Sequence, residues 1–332
     1  MNTINIMPRI LIAAIGAMTL LLFLGPRFIQ WLRDNEVGQF VRPQGLIPEG
    51  HAEKQGTPTM GGLLILFATA VPFLVLSAKS TAAMLVLFTT LACGLIGFLD
   101  DFTKIVRKRS LGLSGRLRIL GLLVVSAVLV YVATQVVGVE TSLAIQPLHV
   151  DLELGYVGYS LLVALVVVGS ANAVNLTDGL DGLAAGTTAI AMLAYTGMAF
   201  VSNRMDLAMF GATTAAACVG FVWFNSHPAT VFMGDTGSYA LGGAIAGMAV
   251  MTKTEVLLGI IGAVFVAEAL SVMLQVVVFK RFRRRVFLMA PLHHHFEMAG
   301  WSETKIIVRL WLIALIGAAV GFTLYFRAIL QK

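Results

Sequence analysis

An all-α, polytopic membrane protein with ten transmembrane helices is predicted by three observations on this 332-residue chain. Hydrophobic residues make up 58% and charged residues only 12%, against about 25% charged in ordinary soluble domains. Ten long runs are nearly free of Asp, Glu, Lys and Arg, and the basic residues between them are sorted onto one face. The mean hydropathy of +0.89 excludes soluble single-domain folds, disordered tails and nucleic-acid-binding modules. The lipid bilayer is therefore the first partner, and no nucleic acid is expected. Cys93 and Cys218 lie inside apolar runs and read as small hydrophobes.

The runs fall at 10–26, 55–78, 80–99, 119–139, 154–177, 182–203, 207–234, 236–252, 256–279 (broken only by Glu268) and 310–326. Most are close to the roughly 20 residues that a membrane helix needs. The first has no small-x-small cleavage site after it and reads as a membrane helix rather than a signal peptide. An even count puts both termini on one side. The segments 27–54, 100–118 and 280–309 hold seventeen of the 23 Lys and Arg, so they are expected to be cytoplasmic and both termini periplasmic. The whole chain, 1–332, reads as one integral membrane domain, with site-bearing loops at about 27–58, 100–118, 175–182, 225–238 and 280–308. Between 139 and 155, the stretch His149–Leu154 alternates polar and apolar residues, which predicts a small periplasmic β-hairpin.

Ionisable residues at membrane depth are costly and mark function by default. Asp100, Asp101, Asp178, Asp181 and Asp235 all fall at cytoplasmic ends of spans, together with His293-His294-His295. The adjacent Asp100 and Asp101 repel unless a cation sits between them, which suits a base or a metal–phosphate site. Asn172, Asn175, Asp178 and Asp181 recur every three residues as a polar stripe that needs partners. Gly234-Asp235-Thr236-Gly237-Ser238 opens a span and could offer backbone N–H groups to phosphate, with Asp235 holding the Mg²⁺ that phosphate brings. The His triple lacks the i, i+4 spacing of a zinc helix and fits contact with a pyrophosphate better. Glu268, Ser271 and Gln275 share a helix face that should line a groove or pack inside the bundle. Acids, imidazoles and cations at one membrane surface, without a GxxxxGK[ST] loop, fit Mg²⁺-assisted phosphoryl transfer between a lipid and a water-soluble substrate. An ion-coupled transporter is the competing class, but its site belongs near the midplane.

The stretches Lys54-Gln-Gly-Thr57-Pro58-Thr59-Met60-Gly61-Gly62, Asp100-Asp101-Phe-Thr-Lys104, Asn172–Gly182, Asn225–Ser238 and Pro291–Glu297 with Gly300-Trp301 carry a family resemblance. The chain resembles the bacterial phospho-N-acetylmuramoyl-pentapeptide transferases, a branch of the polyprenyl-phosphate hexose-1-phosphate transferases. The resemblance implies transfer of phospho-MurNAc-pentapeptide from UDP-MurNAc-pentapeptide to undecaprenyl phosphate, giving lipid I and UMP, with Mg²⁺ as cofactor, at the cytoplasmic membrane. It implies Asp235 as metal ligand, Asp100 and Asp101 at the polyprenyl phosphate, and Asn175, Asp178, Asp181, Asn225, Phe232 and Gln275 around the nucleotide, with Phe232 stacking on uracil. Lys54, Thr59 and Lys104 would contact phosphates or the nucleotide, and His293, His294 and His295 the pyrophosphate or sugar. Where relatives are expected to carry Lys, this chain has Gln55 and Arg116-Leu-Arg118. A sister enzyme using another UDP-hexosamine is the alternative within the superfamily, and a homodimer is among the assemblies considered.

Overall fold

Each of the ten apolar runs becomes a helix. The structure is a computed structural model and describes residues 3–35, 37, 38, 56–109 and 111–331. In chain order the elements are α1 (Thr3–Asp34), α2 (Gly62–Leu76), α3 (Thr81–Val106), and α4 (Gly115–Val132), which runs on into a π-helical turn, Ala133–Val137. A hairpin follows, with β1 (Ser142–Ile145), a 3₁₀ turn and β2 (Val150–Glu153). Next come α5 (Gly155–Thr177), α6 (Leu183–Val201), α7 (Met205–Asn225) and α8 (Gly234–Thr252). The chain ends with α9 (Leu258–Ile261), α10 (Ala263–Phe282), α11 (Leu292–Met298) and α12 (Glu303–Leu330).

Eight of these, α1, α3, α4, α5, α6, α7, α10 and α12, are long and apolar enough to cross a membrane. Of the ten crossings expected, eight are therefore long and apolar enough, and α2 and α8 are not. α2 has 15 residues, and α8 opens with Gly-Asp-Thr-Gly-Ser and carries further glycines, which keeps it from being strongly apolar. The reason for α8 lies in its position. All its residues from Thr236 to Thr252 are buried, and α2, α3, α5 and α6 pack around it. A helix that meets other helices rather than lipid has no need of a greasy surface. In lipid, helix association depends on close packing more than on hydrophobicity, and glycines supply it. At Gly62 against Gly237, and at Gly243 against Cys93, a Cβ would collide with the neighbouring helix. Outward faces carry the large apolar side chains instead, such as Ile15, Leu165, Trp223 and Ile316. Exposed to water they would form an anomalous patch; against acyl chains they are in place.

The predicted hairpin is present, antiparallel, with Ser142 opposite Glu153 and Ile145 opposite Val150. Lys253, just after α8, fastens it by donating to the carbonyls of Glu140 (3.0 Å) and Ser142. Nearby, the Asp206 carboxylate accepts from Ala78 N and Ser80 N at 3.0 and 2.8 Å, closing the α2–α3 turn. These contacts tie together the end of the bundle remote from the acidic cluster.

Candidate active site

At the other end, α3 finishes with Asp100 and Asp101, both buried, and Lys104 one turn on. The Lys104 ammonium lies 2.7 Å from Asp100 Oδ2, 3.5 Å from Asp101 Oδ1 and 2.9 Å from Asp235 Oδ2. It occupies the position of the cation that the paired carboxylates require. Arg118, in the first turn of α4, adds a second charge 3.9 Å from both Asp100 and Asp235. Leu113 N donates to Asp100 Oδ1 at 2.7 Å, and the 111–114 segment closes over this carboxylate because Gly112 has no Cβ to strike it.

Asp101 is used differently. Its Oδ2 accepts from Thr236 N (2.8 Å) and Thr236 Oγ1 (2.7 Å), and its Oδ1 from Asp235 N (3.2 Å). It therefore caps α8 from another helix, taking up N–H groups that a helix start leaves unpaired. The expectation that this turn offers its N–H groups to phosphate is corrected accordingly: the Asp235 and Thr236 amides are already occupied by a carboxylate. Gly234, at φ 76°, makes the turn into α8 where a side chain would run into Asp101.

Asp235 is the most accessible of the three acids, with 15% of its side chain exposed against 1% for Asp100. Asn175 donates to its Oδ1 at 2.8 Å and to Ser238 Oγ at 3.0 Å, so the polar stripe of α5 meets α8 here. Oxygen atoms of Asp100, Asp101 and Asp235 lie within 4.8 Å of one another. An all-carboxylate donor set of this kind suits Mg²⁺ rather than a softer metal. Asp235, with Asp100 beside it, has the reach to hold the ion, whereas the lone pairs of Asp101 are taken.

Thr59 and Phe232 flank the entrance to α8. The Phe232 amide donates to Pro58 O at 2.7 Å, Gly61 N donates to Phe232 O and Gly62 N to Met233 O, both at 2.9 Å. This strand-like pairing sets the Thr59 hydroxyl beside Gly234. Lys54 lies outside the described residues.

The 178–182 turn forms the next wall. Burial, together with the charges of Asp235, Asp101 and Asp181, holds the Asp178 carboxyl well above the usual carboxylate range. Asp181 accepts from Ala229 N at 3.0 Å, and His227 Nδ1 lies 3.3 Å from it and 3.2 Å from Glu303. Asn225, 2% exposed, receives Gly182 N on its Oδ1 and donates to Val231 O. Its amide thus braces two loops against each other.

On the α10 side, Gln275 Oε1 accepts from Val286 N and Phe287 N, both at 3.0 Å, so the chain after α10 turns back along that helix. The three histidines then diverge. His293 is fully buried and sits 3.2 Å from Glu268; His294 pairs with Glu297; His295 Nδ1 accepts from Leu288 N at 3.2 Å. His293 also packs on Gly179, which joins this side to the 178–182 turn. Phe296 stacks on Trp301, whose ring Lys305 and Arg309 approach at 5.0 and 4.3 Å.

The structure therefore brings Asp100, Asp101, Lys104, Asn175 and Asp235 into one constellation. Thr59, Phe232, Asp178 and Asp181 stand on the loops around it with Asn225 at the end of α7, and Gln275 with the His triple forms a separate wall. Arg118, Glu303 and the Glu268–His293 pairing had no assigned role in the sequence. Their partners lie far away in the chain, and the signals in the sequence were the charge at Arg116–Arg118 and the lone acid Glu268 on the polar face of its span.

A family model described as "Glycosyl transferase family 4" matches residues 83–253, and one for "Phospho-N-acetylmuramoyl-pentapeptide-transferase signature 1" matches residues 54–66. A protein of Geobacillus sp. (strain WCH70) named phospho-N-acetylmuramoyl-pentapeptide-transferase is 48% identical over 93% of this chain and 96% of its own length. Proteins of the same name from Rubrobacter xylanophilus and Halalkalibacterium halodurans are 47% and 46% identical, over 91% and 95% of the chain and 93% and 97% of their own lengths. The chain belongs to the phospho-N-acetylmuramoyl-pentapeptide-transferase family. It is an enzyme of the phosphoglycosyl transferase type.

Proposed function

We propose that the protein transfers phospho-MurNAc-pentapeptide from UDP-MurNAc-pentapeptide to undecaprenyl phosphate, giving lipid I and UMP. The observation that carries this reading is the Asp100–Lys104–Asp235 bridge with Arg118 beside it. Both substrates are phosphate anions, and this is a compact set of cations and metal-binding oxygens for bringing two anions together. Mg²⁺ bound at Asp235 would supply charge neutralisation for the pyrophosphate. Asp100 would help to hold the ion, and Lys104 and Arg118 orient the lipid phosphate. Asn175, Asp178, Asp181, Asn225, Phe232 and Gln275 frame the nucleotide, with Phe232 stacking on uracil. Thr59 stands toward the phosphates, Lys54 is assigned a phosphate or nucleotide contact from its sequence motif alone, and the His triple stands toward the pyrophosphate or sugar.

An oxygen of the lipid phosphate attacks the sugar-linked phosphorus. The new P–O bond forms as the bond to the bridging oxygen breaks, and UMP departs with that electron pair. A phosphate monoester has its second pKa near ~6, so the nucleophile is already ionised and needs no base. The commitment of Asp100 to Leu113 N and Lys104 agrees with such a role in positioning and charge.

The chain lies in the cytoplasmic membrane with the site facing the cytoplasm. α2 and α8 complete ten crossings, and both termini are periplasmic, as the basic residues of the 27–54, 100–118 and 280–309 segments favour. The test is UMP release by purified protein supplied with UDP-MurNAc-pentapeptide, polyprenyl phosphate and Mg²⁺. Release is expected with this donor and not with UDP-GlcNAc. No release, with ion-coupled flux in liposomes, would replace the reading with transport.

A further inference from the structure

Glu268 sits in the second turn of α10 with no solvent exposure, and one of its oxygens, Oε1, has no hydrogen-bond partner among the described residues. A carboxylate in such a place is expensive, and Leu or Gln would pack there at less cost. Its other oxygen faces a single residue: Oε2 accepts from His293 N at 3.3 Å and lies 3.2 Å from His293 Nδ1. His293 is likewise fully buried. Neither ring nitrogen has a hydrogen-bond partner among the described residues, and Nε2 points at Gly179, where a Cβ would occupy the same space.

We propose that Glu268 is a positioning residue of the transferase: by accepting from His293 N and standing 3.2 Å from its Nδ1, it seats the ring on Gly179 and so holds α11 against the 178–182 turn. This rests on the transferase reading of the site. With its backbone N–H bound to the Glu268 carboxylate and the ring packed between Glu268 and Gly179, His293 has one seat, and the turn that carries Asp178 and Asp181 is braced through it. The neighbouring contacts point the same way. Gln275 pins the chain one segment earlier through Val286 and Phe287, and the His294 ring lies 4.2 Å from that of His293. Gln275 sets the return of the chain along α10, Glu268 sets its depth, and Gly179 leaves room for the ring. The polar face of α10 is thereby assigned: it is a track for the segment that carries the histidines.

The test compares Glu268→Gln, His293→Gln, their double mutant and Gly179→Ala. Glu268→Gln keeps the acceptor for His293 N but removes the charge. Expected are a roughly 10-fold fall in kcat/KM for the UDP donor, an unchanged KM for polyprenyl phosphate, and a double mutant no worse than His293→Gln alone. Gly179→Ala, which displaces the ring without touching Glu268, should lower donor kcat/KM to a similar degree. Hydrogen–deuterium exchange over 286–298 supplies a readout that needs no turnover, and exchange there should quicken in Glu268→Gln. Unchanged exchange, or losses that multiply in the double mutant, would overturn the proposal. An inactive wild type would instead overturn the transferase reading, while the exchange comparison still decides the clamp.

Discussion

Asp101→Asn separates a capping acid from a reacting one. In the native site the two oxygens of Asp101 accept three hydrogen bonds from the start of α8 and face Lys104 as well. An amide can keep its oxygen on Thr236 N and Oγ1, but its NH₂ then faces the Asp235 N–H, donor against donor. One buried N–H is left unpaired, at a cost of about 1–3 kcal/mol. That cost falls on the turn that aims the Asp235 side chain. If metal binding must restore the turn, the Mg²⁺ concentration for half-maximal UMP release rises by about 5- to 150-fold, since 1.4 kcal/mol is a factor of ten. The assay is a Mg²⁺ titration of UMP release at saturating donor and lipid phosphate. Turnover should approach the wild-type rate at high Mg²⁺. A variant dead at every Mg²⁺ concentration would place Asp101 in the chemistry itself, and one with the native Mg²⁺ dependence would show that the cap carries no weight.

Three further outcomes are expected. Asp235→Asn removes the reachable carboxylate and abolishes Mg²⁺-dependent turnover, while the thermal unfolding midpoint in detergent stays near that of the wild type; turnover above about one tenth of the native rate would remove Asp235 as the metal ligand. Lys104→Ala withdraws the ammonium shared by three acids and lowers turnover by about tenfold or more, and Mg²⁺ should then raise its unfolding midpoint more than it raises the wild type's, because a ligand that binds only the folded state stabilises it. Glu255→Gln tests a buried acid at the hairpin end. Burial raises the Glu255 carboxyl, with Lys253 and the Tyr159 hydroxyl pulling it down. A raised folded-state pKa gives stability that is full below the ordinary value near 4.5 and lost as pH rises through the folded one. Gln does not ionise, so its unfolding midpoint should gain on the wild type's as pH rises from about 4.5; a constant difference would refute the assignment.

Hydropathy made the helices legible because each crossing must meet the same local requirement, a run of apolar residues. The hairpin was legible for a similar reason, since alternation from His149 to Leu154 is a local pattern. α8 is where this logic weakens. Its composition is set by neighbours on several sides, and no window of sequence shows that Gly237 must fit against Gly62 or Gly243 against Cys93. The acids at the site were visible because charge is so scarce in this chain. What each one touches was not. Asp100 and Asp101 are adjacent in sequence, yet one faces Lys104 and a loop amide while the other caps a helix that begins 133 residues further on.

That division between neighbouring carboxylates explains how a bundle with few charges keeps several acids buried together. Asp101, with Lys104 3.5 Å away, also accepts from backbone N–H groups at a helix start, a fixed partial positive charge that cannot diffuse away. Asp100 and Asp235 are neutralised by mobile side chains, Lys104 and Arg118. A fixed partner stabilises the fold continuously, whereas a mobile one can be exchanged for a metal ion or a substrate phosphate. The acids held by side chains are therefore the ones free to change partners during a reaction, and Asp235, the more exposed of the two, is where that exchange should begin. Spectroscopic titration with Mn²⁺ in place of Mg²⁺ would show it directly: binding should weaken sharply in Asp235→Asn, moderately in Asp101→Asn, and tighten in Lys104→Ala. Weaker binding in Lys104→Ala would mean that the ammonium organises the metal site rather than standing in for the metal.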